Sequence, residues 1–409
     1  MLNNSLLTHS LIQTDCRPPV EVADILRLYG DAYREQHPVS PEQRLVMRDI
    51  VQCRTAALGG HVDECDSCGG LRISYNSCRN RHCPKCGALM KAEWLERQKA
   101  CLLPTHYFHV VFTIDHAFNP LIRVNQRAVY DLLFHSAAST LQAFGRKHLG
   151  GEIGCTAILH TWGQTLVEHP HLHCLVPGGA LSADGQRWRG TLPTFLFPIE
   201  ALSAQFRDRF CDGLWRLYHC GRLRFAGESL AYAEEASFSA LVSVARGKAW
   251  QVYAKPPFAE AAQVLEYLGR YVHRVAISNH RIVGVADEQV RFRYRDYKAD
   301  GQEKEMTLPA VEFIRRFLQH VLPKGYVRIR HYGLLASRWR ADKLACCRRL
   351  LGSYDYDIMV TTTRTRETIL AEMLGHDPQQ CPICGVGRLR PYQELLPHPT
   401  RQRWVAVVS

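Results

Sequence analysis

The sequence of 409 residues predicts an α+β fold, and three observations support this prediction. Apolar residues recur at helical spacing in stretches such as EVADILRLYGDAYREQHP near the N-terminus. Runs of aromatic and β-branched residues, YFHVVFTI at 107–114 and CTAILHTWGQTLV at 155–167, are typical of strands. Helical and strand patterns then alternate along the chain, which indicates antiparallel strands interleaved with helices.

The remaining elements follow from the same patterns. Helices are expected over the first 50 residues with a break between Pro38 and Pro41, from residue 91, and over 120–149, 201–221, 258–278 and 312–322. Further strands are expected over 169–179, over 248–255 with an end at Pro256 and Pro257, and as a polar pair within 291–309. We predict a helical and zinc-binding domain over 1–100, a catalytic domain over 101–290 and an accessory region over 291–409.

Composition and charge limit the class of protein. The chain has 46% apolar residues and no run of the roughly 18 that a membrane helix needs, so we expect a folded protein without a membrane span. The start MLNNSLLTHSLIQTD lacks a basic segment followed by a sustained apolar one, which predicts a cytoplasmic protein. In that reducing compartment, sixteen cysteines indicate metal binding rather than disulfides. The net charge of +12 suits a polyanionic partner, although a basic solvated surface would also explain it.

The segment 53–87 has the spacing of a zinc-binding module. Cys65, Cys68, Cys83 and Cys86 form two CxxC pairs separated by fourteen residues, which predicts one structural zinc site. The same segment offers four further candidate ligands, enough for a second ion: Cys53, His61, Cys78 and His82. A final CPICG at 381–385 is half a zinc site, which Cys346 and Cys347 are candidates to complete.

Basic and polar residues accompany these cysteines. In SCRNRHCPKC, the side chains of Arg79, Asn80, Arg81 and Lys85 would lie on a surface held in place by the metal. Such a surface is suited to contact DNA phosphates, but an ordinary solvated surface has the same composition.

The stretch HPHLHCLVPGG at 169–179 predicts a second kind of metal site. In a strand, alternate residues share one face, so His169, His171 and His173 would lie together, opposite Leu172 and Cys174. Two half-exposed histidines that bind no metal are the simpler explanation of this pattern. We expect this strand to pair with AILHTWGQ, in which either His160 or Gln164 is placed to supply a third ligand, and Gln164 is preferred.

The predicted helix over 258–278 carries two tyrosines and two arginines. Tyr267 and Tyr271 are four residues apart and therefore stack on one helix face, as do Arg270 and Arg274. A tyrosine pair is often core packing, but an apolar packing face needs no arginines. A phenol with a pKa of about 10 is a poor nucleophile at neutral pH. A divalent ion on the attacked phosphate and nearby cations would compensate, so histidines and tyrosines together predict a DNA-nicking site.

These motifs resemble the HUH-type rolling-circle transposases of the insertion sequence 91 family, which are encoded by bacterial mobile elements. The resemblance covers most of the chain, in family order: YNSCRNRHCPKC, FHVVFT, HTWGQ, HPHLHCLVPGG, YAKPPF and YLGRYVHRVAISN. It implies a five-stranded antiparallel sheet flanked by helices, with the metal on the central strands. It also implies that His171 and His173 bind the ion and that Tyr267 and Tyr271 are the nucleophiles.

The resemblance further implies the substrate and the ions. The enzymes cut single-stranded DNA at element ends through a 5′-phosphotyrosine, and two tyrosines allow strands to be exchanged without ATP. Magnesium or manganese is expected at the catalytic site and zinc in the N-terminal domain, which would help to bind DNA. Lys255, in the YAKPPF turn, is a candidate phosphate contact. Alternative functions are a plasmid-type replication initiator, a non-catalytic zinc-containing DNA-binding protein, and a nuclease that uses water.

Overall fold

The computed structural model describes residues 18–99, 101–258, 269, 275–352 and 364–398. Its helices are α1 Val22–Gln36, α2 Pro41–Gln52, α3 Gly87–Lys99, α4 Asn119–Phe144, α5 Ile199–His219, α6 Glu235–Gly247, α7 Ala310–Leu318, α8 Arg340–Leu350 and α9 Arg366–Leu374. Its strands are β1 Gly60–Cys65, β2 Leu71–Tyr75, β3 Tyr107–Thr113, β4 Gly151–Trp162, β5 Glu168–Pro177, β6 Gly179–Ser182, β7 Trp188–Gly190, β8 Val252–Phe258, β9 Ile282–Ala286, β10 Gln289–Asp296, β11 Gln302–Pro309, β12 Ile329–Gly333 and β13 Leu389–Leu395. The α+β prediction is confirmed.

The chain divides into two compact units that do not coincide with the predicted domains. The first contains the described residues of 1–93, 277–315 and 364–409, and the second contains those of 94–276 and 316–363. The predicted accessory region over 291–409 is therefore shared between the two units. The reason is strand pairing, since β13 near the C-terminus is antiparallel to β1.

The first unit contains two small antiparallel sheets, of order β13-β1-β2 and β11-β10-β9. Its first two helices are separated where the two prolines predict a break. Pro41 begins α2, and Ser40 caps it, because the Ser40 hydroxyl accepts from the amide of Gln43 at 3.2 Å while the Gln43 side chain accepts from the amide of Ser40 at 3.0 Å.

The second unit is built on an antiparallel sheet of order β7-β6-β4-β5-β3-β8, with β12 paired to β4. Seven strands exceed the five that the family resemblance implies, partly because of the short strand β7 and the late strand β12. Strand β8 also continues to Phe258, although Pro256 and Pro257 were expected to end the strand. Two prolines are tolerated there because β8 is the last described strand of the path and its register with β3 shifts between Tyr107 and His109, opposite the prolines.

The two faces of this sheet have different roles. Phe108, Val110 and Phe112 of β3 belong to a buried apolar cluster that also contains Leu172 and Cys174 of β5. The helices α4, α5 and α6 contribute to the same cluster, through residues such as Leu133, Phe206 and Phe238. Because side chains alternate along a strand, this packing turns the intervening residues of β3, β4 and β5 to the opposite face.

Among the described helices, none combines the length and apolar composition that crossing a membrane would require.

Candidate metal centre and cysteine clusters

Three histidines meet on the sheet face opposite the one that packs against α4, α5 and α6. His171 and His173 alternate along β5 with the core residues Leu172 and Cys174, and His160 of β4 lies directly opposite His171 in the antiparallel register. The ligand nitrogens of the three imidazoles lie within 4.8 Å of one another. The sheet therefore brings together the two predicted ligands and one of the two candidates for the third.

The two histidines of β5 point their Nε2 atoms at each other. These atoms are 3.0 Å apart. Two nitrogens that each lie ~2.1 Å from one metal ion at an angle of ~90° are ~3 Å apart, so the separation fits a shared ion.

The other ring nitrogen of each histidine has a partner of its own. His171 donates from Nδ1 to the carbonyl oxygen of His169 at 2.5 Å, which leaves the lone pair on its Nε2. Burial lowers the pKa of His171 to about 3, so its imidazole is neutral at pH 7. The Nδ1 atom of His173 lies 2.8 Å from Nε2 of His109. Orienting contacts of this kind are typical of metal-bound histidines.

His109 of β3 is a residue that the sequence reasoning missed. The strand FHVVFT was recognised, but its histidine was not assigned a role. His109 is buried, and its ring stacks on that of His173 with centroids 5.0 Å apart. Strand alternation could have indicated this residue in the sequence, because it places His109 on the face opposite Phe108 and Val110.

Gln164, the preferred third ligand, is not on the strand. β4 ends at Trp162, and its register with β5 shifts between His160 and Trp162. Gln164 lies in the turn that follows. The prediction assumed regular alternation through Gln164, and the shift and the strand end interrupt that alternation.

His169, the first histidine of the motif, belongs to a neighbouring pair instead. Its Nδ1 lies 2.7 Å from Nε2 of His116 at an exposed position. The two side chains help to line a cavity of about 370 Å³ together with Asp115, Trp250 and Gln251.

The remaining residues of the predicted catalytic site are only partly described. Tyr267, Tyr271, Arg270 and Arg274 lie outside the described residues. Lys255 lies on β8 at the position opposite His109. Tyr253 is opposite Val111, which is itself opposite His173, so this tyrosine belongs to the histidine face and is 54% exposed. The sequence reasoning did not single out Tyr253.

The six cysteines among the predicted zinc ligands fall into two clusters, both in the first unit. The first cluster contains Cys53, Cys78, Cys83 and Cys86. The Sγ atoms of Cys53 and Cys86 are 3.2 Å apart, and those of Cys78 and Cys86 are 3.6 Å apart. Hydrogen bonds from the thiols of Cys78 and Cys83 lower the pKa of Cys53 to about 7, which favours the thiolate that binds metal.

The second cluster joins Cys65 and Cys68 to Cys381 and Cys384. The spacing of the two CxxC pairs in the N-terminal segment predicted that they would share one site. In the structure, the two pairs instead belong to different clusters. Each pair instead meets cysteines that the spacing rule did not select.

Four other candidates lie outside both clusters. His61 is exposed on β1, 3.5 Å from Asp63, and the backbone amide of His82 donates to Asn80. Cys347 is buried in an apolar cluster with Leu103 and Leu344, and Cys346 packs against that cluster. Cys346 and Cys347 thus fill the core of the second unit and do not complete the CPICG motif.

The predicted phosphate-contacting surface is smaller than expected. Arg79 is exposed, and burial lowers the pKa of the half-buried Arg81. The Lys85 side chain, in contrast, is only 9% exposed and forms an ion pair with Glu21 at 2.5 Å. Asn80 donates to Asp49 at 3.0 Å. Lys85 and Asn80 therefore hold the loop in place, whereas the exposed Arg79 is accessible to DNA.

Comparison with known proteins gives the context for this arrangement. A family model described as "Transposase zinc-binding domain" matches residues 25–114, and one described as "Putative transposase" matches residues 154–343. "Putative transposase y4qJ" of Sinorhizobium fredii (strain NBRC 101917 / NGR234) is 49% identical over 90% of this chain and 94% of its own length. "Transposase for insertion sequence element IS801" of Pseudomonas savastanoi pv. phaseolicola is 29% identical over 82% of this chain and 80% of its own length. No solved structure matches the chain significantly.

Fold, cysteine clusters and matched regions together define a transposase, which is an enzyme that processes nucleic acid and binds DNA. The chain belongs to the insertion sequence 91 family of transposases, with the zinc-binding domain of that family near its N-terminus.

Proposed function

We propose that this transposase nicks and rejoins single-stranded DNA at the ends of its mobile element through a tyrosine nucleophile. The observation that carries the proposal is the buried cluster of His160, His171 and His173 on the middle strands of an antiparallel sheet. A sheet face that gathers three imidazoles is suited to hold a divalent ion against a DNA phosphate.

The proposed ligands are the Nε2 atoms of His171 and His173 together with His160, and His109 orients His173. A divalent ion bound there would polarise the scissile phosphate. Of the two ions that the sequence predicts, three nitrogen ligands favour Mn²⁺, since Mg²⁺ prefers oxygen ligands. Gln164 is a second candidate for the third ligand, and an oxygen from its amide would make the site more suitable for Mg²⁺.

The proposed nucleophiles are Tyr267 and Tyr271, whose roles rest on the family resemblance and on their spacing of four residues. The phenolic oxygen of one tyrosine attacks the phosphorus and loses its proton. The bond from phosphorus to the 3′ oxygen breaks, the 3′ oxygen takes up a proton and leaves as a free 3′ hydroxyl, and the 5′ phosphate remains bound to the tyrosine. The second tyrosine allows a second cut while the first holds the DNA end.

We assign DNA contacts to both units. In the first, Arg79 and Arg81 would contact phosphates from a loop held by Cys78 and Cys83. In the second, Lys255, Arg270 and Arg274 are the proposed phosphate contacts. Exposed Tyr253 adds an aromatic surface on the histidine face, on which a base beside the scissile phosphate would stack.

Clusters of free thiols suit a reducing compartment, which supports the cytoplasm as the place of action.

The test is the covalent adduct. Purified protein is mixed with end-labelled single-stranded DNA that carries the element ends, with Mn²⁺ or with EDTA, and adducts that survive denaturant are counted. We expect an adduct with Mn²⁺ only, and we expect the double variant Tyr267→Phe, Tyr271→Phe to form none. Tyr253→Phe is a matched control that should keep the adduct, because the proposed stacking needs the ring and not the hydroxyl.

The other outcomes separate the alternatives. Cleavage of the DNA without an adduct would identify a nuclease that uses water. Binding without cleavage, unchanged in the tyrosine double variant, would favour a non-catalytic DNA-binding protein. An adduct that forms on a plasmid origin and not on element ends would favour a replication initiator.

A further inference from the structure

We propose that Cys65, Cys68, Cys381 and Cys384 bind a zinc ion of their own, which joins the hairpin β1–β2 to the C-terminal strand β13. The last two cysteines lie outside both regions matched by the family models, which end at residues 114 and 343. This proposal is independent of the nicking mechanism.

The distances between the sulfur atoms fit a tetrahedral zinc site. Cys65 and Cys384 have their Sγ atoms 3.7 Å apart, and so do Cys68 and Cys381. Four sulfurs at ~2.3 Å from one ion in tetrahedral geometry are ~3.8 Å from each other. A disulfide would need ~2.05 Å, so the thiols are spaced for an ion and not for a bond.

The backbone around each cysteine is also arranged as in a zinc knuckle. The amides of Ser67 and Cys68 lie 3.4 and 3.5 Å from the sulfur of Cys65. On the opposite side, Ile383 and Gly387 donate to Cys381 and Cys384, both at 3.4 Å. Amide donors of this kind stabilise negative charge on sulfur, which a zinc-bound thiolate carries.

Glycine provides the space that the site needs. A Cβ atom on Gly387 would lie 2.4 Å from the sulfur of Cys65, so no larger residue fits there without displacing the ligand. On the other knuckle, a Cβ atom on Gly70 would lie 2.6 Å from Cδ1 of Ile383. The two CxxCG sequences, at 65–69 and 381–385, thus approach each other closely through residues next to the cysteines.

Strand pairing places the two knuckles side by side. In the register of β1 with β13, Cys65 lies opposite Leu389, and Glu64 lies opposite Arg390. A hydrogen bond from the amide of Arg388 to Asp66, 2.7 Å long, connects the turns beyond the strands. The sheet thus brings the two halves of the site together.

The site closes a very long loop. Its paired cysteines are 313 and 319 positions apart in the chain. Closing such a loop is entropically costly, and metal binding contributes folding free energy that offsets this cost. The zinc-binding module is therefore discontinuous, and it is complete only when the C-terminal segment has been made.

Metal content tests the proposal directly. The purified chain should contain two zinc ions, one in each cysteine cluster, as measured by elemental analysis per mole of protein. The double variant Cys381→Ser, Cys384→Ser should contain one, and Cys220→Ser, which changes an exposed cysteine outside both clusters, should contain two. A zinc content of the Cys381→Ser, Cys384→Ser variant equal to that of the unaltered chain would overturn the proposal.

Alkylation of the unaltered chain provides a test that needs no folded variant. Cys68 is exposed and Cys384 is half-buried, so burial alone gives them little protection from iodoacetamide. With zinc bound, Cys68 and Cys384 should react slowly, and after treatment with a chelator they should become reactive together, while Cys220 reacts rapidly in both states. Labelling of Cys68 and Cys384 that is equally fast with and without zinc would show that they bind no ion.

Discussion

At the scale of single residues, His160 and not Gln164 stands opposite His171 across the pair β4–β5. The two side chains differ in what they offer an ion. A third imidazole gives a nitrogen ligand that prefers transition metals, whereas an amide gives an oxygen. Ligand identity therefore decides which divalent ion supports the reaction.

Substitution separates these two candidates. We expect His160→Ala to weaken Mn²⁺ binding by more than the ~10–100-fold typical of losing an orienting partner, because a direct ligand is lost. Gln164→Ala should leave Mn²⁺ binding within about twofold. Calorimetric titration of each folded variant with Mn²⁺ measures this difference, and the opposite ranking would make Gln164 the ligand.

At the scale of elements, β5 carries two residues of the proposed metal site and also contributes to the core. Its residues alternate between the histidine face and the apolar cluster. Leu172 lies between the two proposed ligands in the sequence, and its side chain is fully buried in the apolar cluster. Any loss of packing on the core side should affect the strand that carries both histidines.

We expect Leu172→Ala to lower the free energy of unfolding by about 2–5 kcal/mol, the usual cost of a cavity in a well-packed core. Denaturant unfolding of the unaltered protein and of the variant measures this difference in the free energy of unfolding. The matched control is Val167→Ala, which changes an exposed residue just before β5 and should cost less than about 0.5 kcal/mol. A loss below about 1 kcal/mol for Leu172→Ala would mean that the site collapses around the smaller side chain.

The elements also show which local rules hold. The apolar alternation in FHVVFT and HPHLHCLV predicts β3 and β5 almost to the residue. The proline pair after Lys255 was a poor guide to the end of β8, because an edge strand tolerates a residue that cannot donate on its open side.

At the scale of the whole molecule, the net charge of +12 suits a polyanion. Binding of single-stranded DNA should weaken with salt, with a slope in log affinity against log salt of about −0.7 for each phosphate neutralised. The charge is distributed over both units, so single substitutions report which arginines contribute.

We expect Arg79→Gln to make this slope less steep by about 0.7 and to weaken binding similarly for all DNA sequences, as loss of one phosphate contact should. Arg291→Gln is the matched control, because Arg291 is already paired with Glu305 at 3.4 Å. Fluorescence anisotropy over a range of salt concentrations measures both slopes, and identical slopes for Arg79→Gln and the unaltered chain would remove Arg79 from the interface.

The sequence by itself determined the α+β class, the family, the pair His171 and His173, and the presence of zinc-type cysteine pairs. These features are local, since strand alternation and CxxC spacing depend on residues a few positions apart. Only the tertiary structure decided that His160 and His109 approach His173, because strand register and a shift within β4 set those contacts. It also decided which cysteines combine, since the pairing of β1 with β13 brings together thiols more than 300 positions apart, and no spacing rule over a short segment can anticipate that closure.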